Sequence, residues 1–419
     1  MTPGQIGLLL TLYLAAAYGQ CFRENDYAPS KHQLFMGMED FFDASTQFSI
    51  RLLHALNTTE NTFISPFSVW SSLILIYLGS KGATEKELEG VLSLQGFEKN
   101  VVAYSYQSLK LWFTSKIRTP SSALSSFTMV NHLFLQKDIK MRSCLLPFME
   151  DDLAYVDFYQ NPELARRAIN YFIQRQTKNK IKEILPPSSI KHYTDFVVTS
   201  TMHFKGVWLQ PFLPQSTQRG PFFTTNLDYK FVDMMVTRDT FLYADSEELQ
   251  CSAIEMPYAG RSLTMVLMLP KNKAHGVQIL SSSLTMSRLG NLTEDMFPRE
   301  MVVVVPKFQF EDSFQLSSTL IKMGLRSLSS GALELSGFSK DRVLRVNSIY
   351  HKAKVSVDEQ GTEAAAATAT AFARSSRPTR IIEFIVDRPF VFYIRENHSG
   401  SILFVGIVRN PKYLQSRDH

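Results

Sequence analysis

Residues 359–376 read EQGTEAAAATATAFARSS, one residue beyond the strand-like KAKVSV at 352–357 and ahead of the apolar RPFVF at 388–392. From Gly361 to Ala373 there is no proline and nothing bulky except Phe372. Every position therefore keeps the backbone donor that a strand inside a sheet needs. At a period of two, Thr362, Ala364, Ala366, Thr368, Thr370 and Phe372 share one side, and Glu363, Ala365, Ala367, Ala369, Ala371 and Ala373 share the other. Alanine is also the best helix former, and exposed tethers are often rich in alanine and threonine. The run alone thus admits a strand, a helix or a tether, and the surrounding chain has to decide.

That chain has 419 residues, 45% hydrophobic and 12% aromatic, enough to bury a sizeable core as one large domain or about two to three ordinary ones. Its 44 basic and 39 acidic residues give a formal charge of +5. The excess suits anionic surfaces or polysaccharides and is too small for a dedicated nucleic-acid binder. Residues 1–19, MTPGQIGLLLTLYLAAAYG, carry no charged side chain and end in small residues at Ala17 and Gly19. They predict a signal peptide cleaved before Gln20, hence a secreted, extracellular protein, with an uncleaved anchor as the rival reading. Sequons at Asn57, Asn291 and Asn397 agree with that compartment. Cys21, Cys144 and Cys251 cannot all pair, so stability must come from the core instead of a disulfide framework. No later apolar run is long enough to span a bilayer, and a monomer without membrane contact is expected.

Residues 20–44 read as a polar amino-terminal extension, and the fold proper begins at ASTQFSIRLLHAL, where Phe48, Leu52, Leu53 and Leu56 recur at helical spacing. SVWSSLILIYLGSKG (68–82) is apolar all round, which predicts a helix inside the protein. TEKELEGVL (84–92) offers Thr84 and Glu87 as a capping box. PELARRAINYFIQRQTKNKIKEIL (162–185) keeps helical period up to Pro186. Beyond it, DFVVTSTMHF, LTMVLMLP, MVVVVPKFQF, AKVSV, RPFVFYI and SILFVGIV are rich in β-branched and aromatic residues and read as strands. Helices dominate the first half and strands the second, with no linker or repeat between them, so a single α+β domain is expected.

The usual catalytic signatures are missing: there is no G-x-S-x-G, no G-x-x-x-x-G-K-[ST], no G-x-G-x-x-G and no H-E-x-x-H. An enzyme is therefore not expected. Nine histidines and three cysteines show no metal-ligand spacing. His132 and His203 read as structural groups, and neither metal nor cofactor is assigned.

Five segments in order resemble one family. NTFISPFSVWSSLILIYLGSKGAT (61–84) is similar to the serpin segment that leads from a buried strand into the central helix. INYFIQRQTKNKIKEIL (169–185) is similar to I-N-x-W-V-x-x-x-T-x-x-K-I, with Phe172 in place of tryptophan. HFKGVWLQPF (203–212) matches F-K-G-x-W-x-x-P-F, and DRPFVFYIREN with ILFVGIVRNP resembles the carboxyl-terminal signatures. The resemblance covers about residues 45–413, leaving 414–419 as a tail.

Within that resemblance, residues 359–380 are the reactive-centre loop of a suicide inhibitor of serine proteases. A loop of this kind is cleaved, holds the protease as an acyl-enzyme and inserts into the central sheet. Glu359, Gly361, Thr362, Glu363 and Ala364, Ala365, Ala366 and Ala367 form the hinge, whose small residues resemble those of inhibitory members and disfavour a carrier or storage role. Arg374-Ser375 presents a cation to a trypsin-like pocket. The family's customary spacing points one residue later, to Ser375-Ser376, and Phe372-Ala373 would suit a chymotrypsin- or elastase-like enzyme. The partner implied is thus a trypsin-like serine protease in an extracellular cascade.

The resemblance also implies a polar cluster closing the sheet at Ser65, Ser68, Ser200 and His351. Ser200 stands where the family usually has asparagine, so part of that network is expected to be missing. Lys110, Lys116 and Arg118 lie near the family's glycosaminoglycan-binding helix, with Arg166, Arg167, Arg175, Lys178, Lys180 and Lys182 as a second basic group. A solvated helical face is the plainer reading of both.

Overall fold

The computed structural model describes residues 31–56, 59–117, 125–225, 227–273, 275–330, 333–339, 343–362 and 381–413. Its strands, in chain order, are β1 (Thr62–Ile64), β2 (Ser125–Gln136), β3 (Leu153–Val156), β4 (Phe196–Val207), β5 (Gln218–Phe223), β6 (Tyr229–Ser246), β7 (Cys251–Pro257), β8 (Leu263–Pro270), β9 (Phe297–Pro306), β10 (Phe308–Gln315), β11 (Val346–Val357), β12 (Gly361–Thr362), β13 (Ile382–Ile385), β14 (Phe390–Glu396) and β15 (Ile402–Val408). A nine-stranded sheet runs β1-β15-β14-β8-β7-β6-β9-β13, with β5 paired to β6, and a six-stranded sheet runs β10-β11-β12-β4-β2-β3. Strands and helices belong to one α+β unit, as the block pattern of the sequence predicts. Among the described residues no helix is long and apolar enough to cross a membrane.

The helix Pro66–Gly79 is buried at every position. It packs against β2 and β4 of the smaller sheet and β15 of the larger, which explains a sequence apolar on all sides. Ser65 caps it, its Oγ accepting from Ser68 N, and Pro66 sits in the first turn, where a missing N–H costs nothing. Truncating one of its fully buried leucines, such as Leu73, would cost about 2–5 kcal/mol.

Two local expectations are corrected. The helix after Lys81 spans Gly82–Leu92, so Thr84 lies inside its first turn and is not the cap. Its Oγ1 accepts from Glu334 N, while Glu87 Oε2 accepts from Ser327 N, so both side chains serve another segment. The helix beginning at Pro162 stops at Gln176 instead of continuing to Pro186. Lys178 and Asn179 adopt φ of 50° and 64°, a left-handed turn that ends a helix. Ile181, Ile184 and Leu185 stay buried all the same, so their spacing reported burial and not helix.

Candidate functional site

The smaller sheet has an opening between β4 and β11. These two strands pair in parallel, from Val346↔Phe196 to Lys354↔His203. Beyond His203 they separate, and β12 lies between them, antiparallel to both: Gly361↔Val207 and Thr362↔Gly206 on one side, Val357↔Thr362 on the other. The chain leaving β11 therefore turns back at once into the mouth of the seam.

The turn is held from several directions. Asp358 N donates to Gly361 O at 2.8 Å, and Asp358 Oδ1 accepts from Gln360 N at 3.0 Å. Trp208 donates twice, from N to Gln360 O at 2.8 Å and from Nε1 to Asp358 O at 3.0 Å, while its ring stacks on Tyr258. Glu359 reaches Lys307 Nζ at 2.9 Å and accepts from Thr217 Oγ1 at 2.7 Å. Burial opposes ionisation of Glu359, but the hydrogen bonds from Lys307 and Thr217 outweigh it and hold the carboxyl below its usual range. Gly361 has φ of 146°, and a Cβ there would lie 2.0 Å from Gly206 O. Only glycine fits, because both the dihedral and the space exclude a side chain.

Further down the seam a row of polar side chains crosses the sheet. Register places Asn131 of β2 opposite Ser200 of β4, and Ser200 beside His351 of β11. Ser65, Ser68, Ser200 and His351 are fully buried and joined by hydrogen bonds. Ser65 N donates to His351 Nε2 at 3.1 Å, which leaves Nδ1 as the protonated nitrogen, 3.0 Å from Ser200 Oγ. Ser200 and Ser68 hydroxyls are 2.8 Å apart, Ser68 Oγ donates to Asn131 Oδ1 at 2.7 Å, and Ser65 Oγ donates to Leu403 O at 2.7 Å. The direction is consistent from imidazole to amide, and it ties β2, β4 and β11 to the buried helix and to β15. Desolvation pushes the His351 pKa down to about 3, and no ionised neighbour contributes.

Asn131 is the member that sequence reasoning missed. Its Nδ2 is buried with no hydrogen-bond partner. Lys307, Thr217 and Trp208 were missed as holders of the turn as well. Only register across distant strands reveals such partners, although polar Asn131 and His132 inside the otherwise apolar VNHLFL were a usable hint.

Other expected sites fare differently. Glu363 to Ala367, Arg374, Ser375 and Ser376 lie outside the described residues, as do Asn57, Arg118 and the side chain of Lys116. Lys110 is not a free cation for a polyanion, a correction to its expected role: its Nζ is 2.6 Å from Asp152 and 5.3 Å from the Tyr106 ring. Arg166 is likewise consumed, by Glu163 at 2.8 Å and Glu183 at 2.6 Å. Asn291 and Asn397 are exposed, the Asn397 amide donating to Arg261 O at 2.9 Å. His132 packs on Phe134 and Phe172 at ring distances of 5.1 and 4.5 Å, a structural role.

Comparison with known proteins agrees with this architecture. The family model described as "Serpin (serine protease inhibitor)" matches residues 43–411. Leukocyte elastase inhibitor of Homo sapiens is 34% identical over 387 residues, covering 89% of this chain and all of that protein. Serine protease inhibitor 88Ea of Drosophila melanogaster is 30% identical, covering 98% of this chain and 99% of its own length. Among solved structures, uncleaved ovalbumin is 25% identical with a TM-score of 0.78, covering 88% of this chain and 100% of its own. The crystal structure of maspin gives a TM-score of 0.80 at 24% identity, covering 90% of this chain and 100% of its own, a likeness of fold. The expectation of a secreted protein is corrected here. Relatives from Bos taurus, Equus caballus, Sus scrofa and Homo sapiens, matched over 100% of their own length, are leukocyte elastase inhibitors, and these point away from secretion. That expectation rested on an apolar stretch with no basic residue ahead of it, and the sequons that leaned on it lose their compartment.

Proposed function

Because this chain belongs to the serpin family of serine protease inhibitors, we propose that it traps a trypsin-like protease attacking Arg374-Ser375, acting as an inhibitor and not as a hydrolase. The protease serine adds to the Arg374 carbonyl, the Ser375 amine leaves, and the acyl-enzyme is drawn along as the freed loop inserts between β4 and β11. The observation that carries this reading is β12, already seated in the mouth of that seam.

Register sets how far an inserted loop would reach. Continuing Gly361↔Val207 and Thr362↔Gly206 along β4, a strand of 12 residues, sets Thr368 opposite Ser200 and ends with Phe372 opposite Phe196. Arg374 then lies two residues past the end of β4, so a fully inserted strand would deliver its acyl group to the far end of the seam. Directly opposed residues share a face, so in an inserted strand Thr362, Ala364, Ala366, Thr368, Thr370 and Phe372 would take the side of Ser200 toward the buried helix, small side chains at every position except the last. About ten new backbone hydrogen bonds at roughly 0.5–1.5 kcal/mol each supply on the order of 10 kcal/mol. Serpin loop insertion is a known instance of strand addition.

A second reading has an elastase- or chymotrypsin-like target attacked at Phe372-Ala373, favoured by relatives named for leukocyte elastase. Mixing the purified protein with trypsin-, chymotrypsin- and elastase-like proteases separates the readings. An SDS-resistant complex and a released peptide beginning at Ser375 are expected. A peptide beginning at Ala373 selects the second reading, one beginning at Ser376 moves the bond by one residue, and clean turnover without a complex overturns inhibition in favour of a carrier or storage protein.

A further inference from the structure

The ribbon made by β5 and β6 breaks the rule that an antiparallel pair buries apolar residues on one face and turns polar ones to water. Its register pairs Pro221 with Phe231 and Phe223 with Tyr229, so these four lie on one face. The other face supplies Phe222 and Val232 to the core. Yet Phe231 is 54% exposed and Tyr229 57%, and Leu227 in the connecting turn is 92% exposed. Tyr229 and Phe231 meet edge to face at 5.8 Å, and Lys273 Nζ stands 5.6 Å from the Phe223 ring centre. Both faces of this ribbon thus carry apolar side chains, with the Arg219–Asp233 ion pair at one end of the outer face. Packing against the core explains one of them, and an outer apolar patch of this kind marks a contact surface.

The ribbon's anchoring says what would cover it. Thr217, at the head of β5, donates to Glu359, four residues before the segment 363–380. Phe223 N, at its foot, donates to Asp387 O at 2.7 Å, seven residues after that segment. One short strand is thus tied to both stems of the segment that a protease must occupy. We propose that the outer face of β5 and β6, centred on Tyr229 and Phe231, is a second contact surface for the protease captured at 363–380. The protease surface that fits is apolar at its centre and acidic where it meets Lys273, since Arg219 is already paired with Asp233. The inference rests on the inhibitory reading above and extends it, since loop sequence alone would no longer set the choice of target.

The test compares the full-length protein with Tyr229→Ala/Phe231→Ala and with Leu164→Ala, an exposed control on the helix Pro162–Gln176. Association rate constants and stoichiometry are measured with every protease that forms the covalent complex, alongside cleavage of a synthetic 363–380 peptide. We expect the double variant to associate about tenfold or more slowly with at least one protease, at unchanged stoichiometry and melting temperature, with the control unaltered. Peptide cleavage should show no preference that accounts for the loss. Unchanged association rates with every complex-forming protease overturn the proposal while leaving the inhibitory reading intact. A change in sedimentation in place of the rate gives the face to a second copy of this chain and overturns it too. If no protease forms a complex, the inhibitory reading fails and this inference falls with it.

Discussion

Acidification should unlatch the central sheet through one residue. His351 is neutral in the fold, its Nε2 accepting from Ser65 N and its Nδ1 placed on Ser200. A second proton would set two N–H groups against each other in a fully buried site. Burial takes its pKa to about 3, against about 6.5 when the chain is unfolded. The native value is the lower one, so the unfolded state binds more protons at any pH between the two. Stability is therefore complete above about pH 6.5 and falls as pH drops toward 3. From pH 7.5 to pH 5 the loss from this group is about 2 kcal/mol. His132, pushed down to about 4 by burial, has the same sign and adds to the total. Buried carboxyls such as Asp312 and Asp358, held above their usual range by desolvation, act with the opposite sign. Urea-induced loss of the native state at pH 7.5 and 5.0 would measure the drop. His351→Gln keeps an acceptor and a donor without a titrating proton, and it should lose about 2 kcal/mol less than the wild type between those pH values. An identical loss in the variant would refute the assignment.

Three further outcomes follow from the same residues. Ser200→Asn should give the orphaned Asn131 amide a partner and raise the melting temperature, worth about 1 kcal/mol; no change or a fall counts against it. Glu359→Gln removes the charge facing Lys307 and should lower native stability by about 1 kcal/mol, the pair being only partly shielded from solvent. Equal unfolding curves at low and high salt for both proteins would show the ion pair to be idle. Gly361→Ala forces a Cβ against Gly206 O and should push β12 out of the mouth. More loop cleaved per complex formed is the expected readout, and an unchanged stoichiometry of inhibition would sink that reading.

Much of the frame was legible where one element carries its own signal. The apolar run from Ser68 to Gly79 could only be an interior helix, and the β-branched runs around Val198, Val266 and Val303 could only be strands. Thr84 and Ile181 misled because a cap or a helical period is a local inference, whereas their actual partners lie across the fold. The polar row was half legible. Ser65, Ser68, Ser200 and His351 came from motif resemblance, but Asn131 enters only through the pairing of β2 with β4. Lys307 and Thr217 were invisible for the same reason, since both meet Glu359 across long stretches of chain. Tyr229 and Phe231 fall outside every segment read as a strand, and nothing in their neighbourhood told which face of β6 would be covered.

The seam between β4 and β11 also works as a measured track. At ~3.3 Å per residue, the 12 residues of β4 make a path of about 40 Å. Its first four positions, Val207 back to Phe204, carry no β4–β11 pair, and the first two of them already pair with β12. The polar row at Ser200 lies roughly 23 Å down. A strand sliding in therefore meets little resistance at first, then the parallel pairs, and only past the midpoint the buried imidazole. Halted above that row, the sheet would be left ajar below the stop, with unpaired backbone on both flanks and room for a strand from elsewhere.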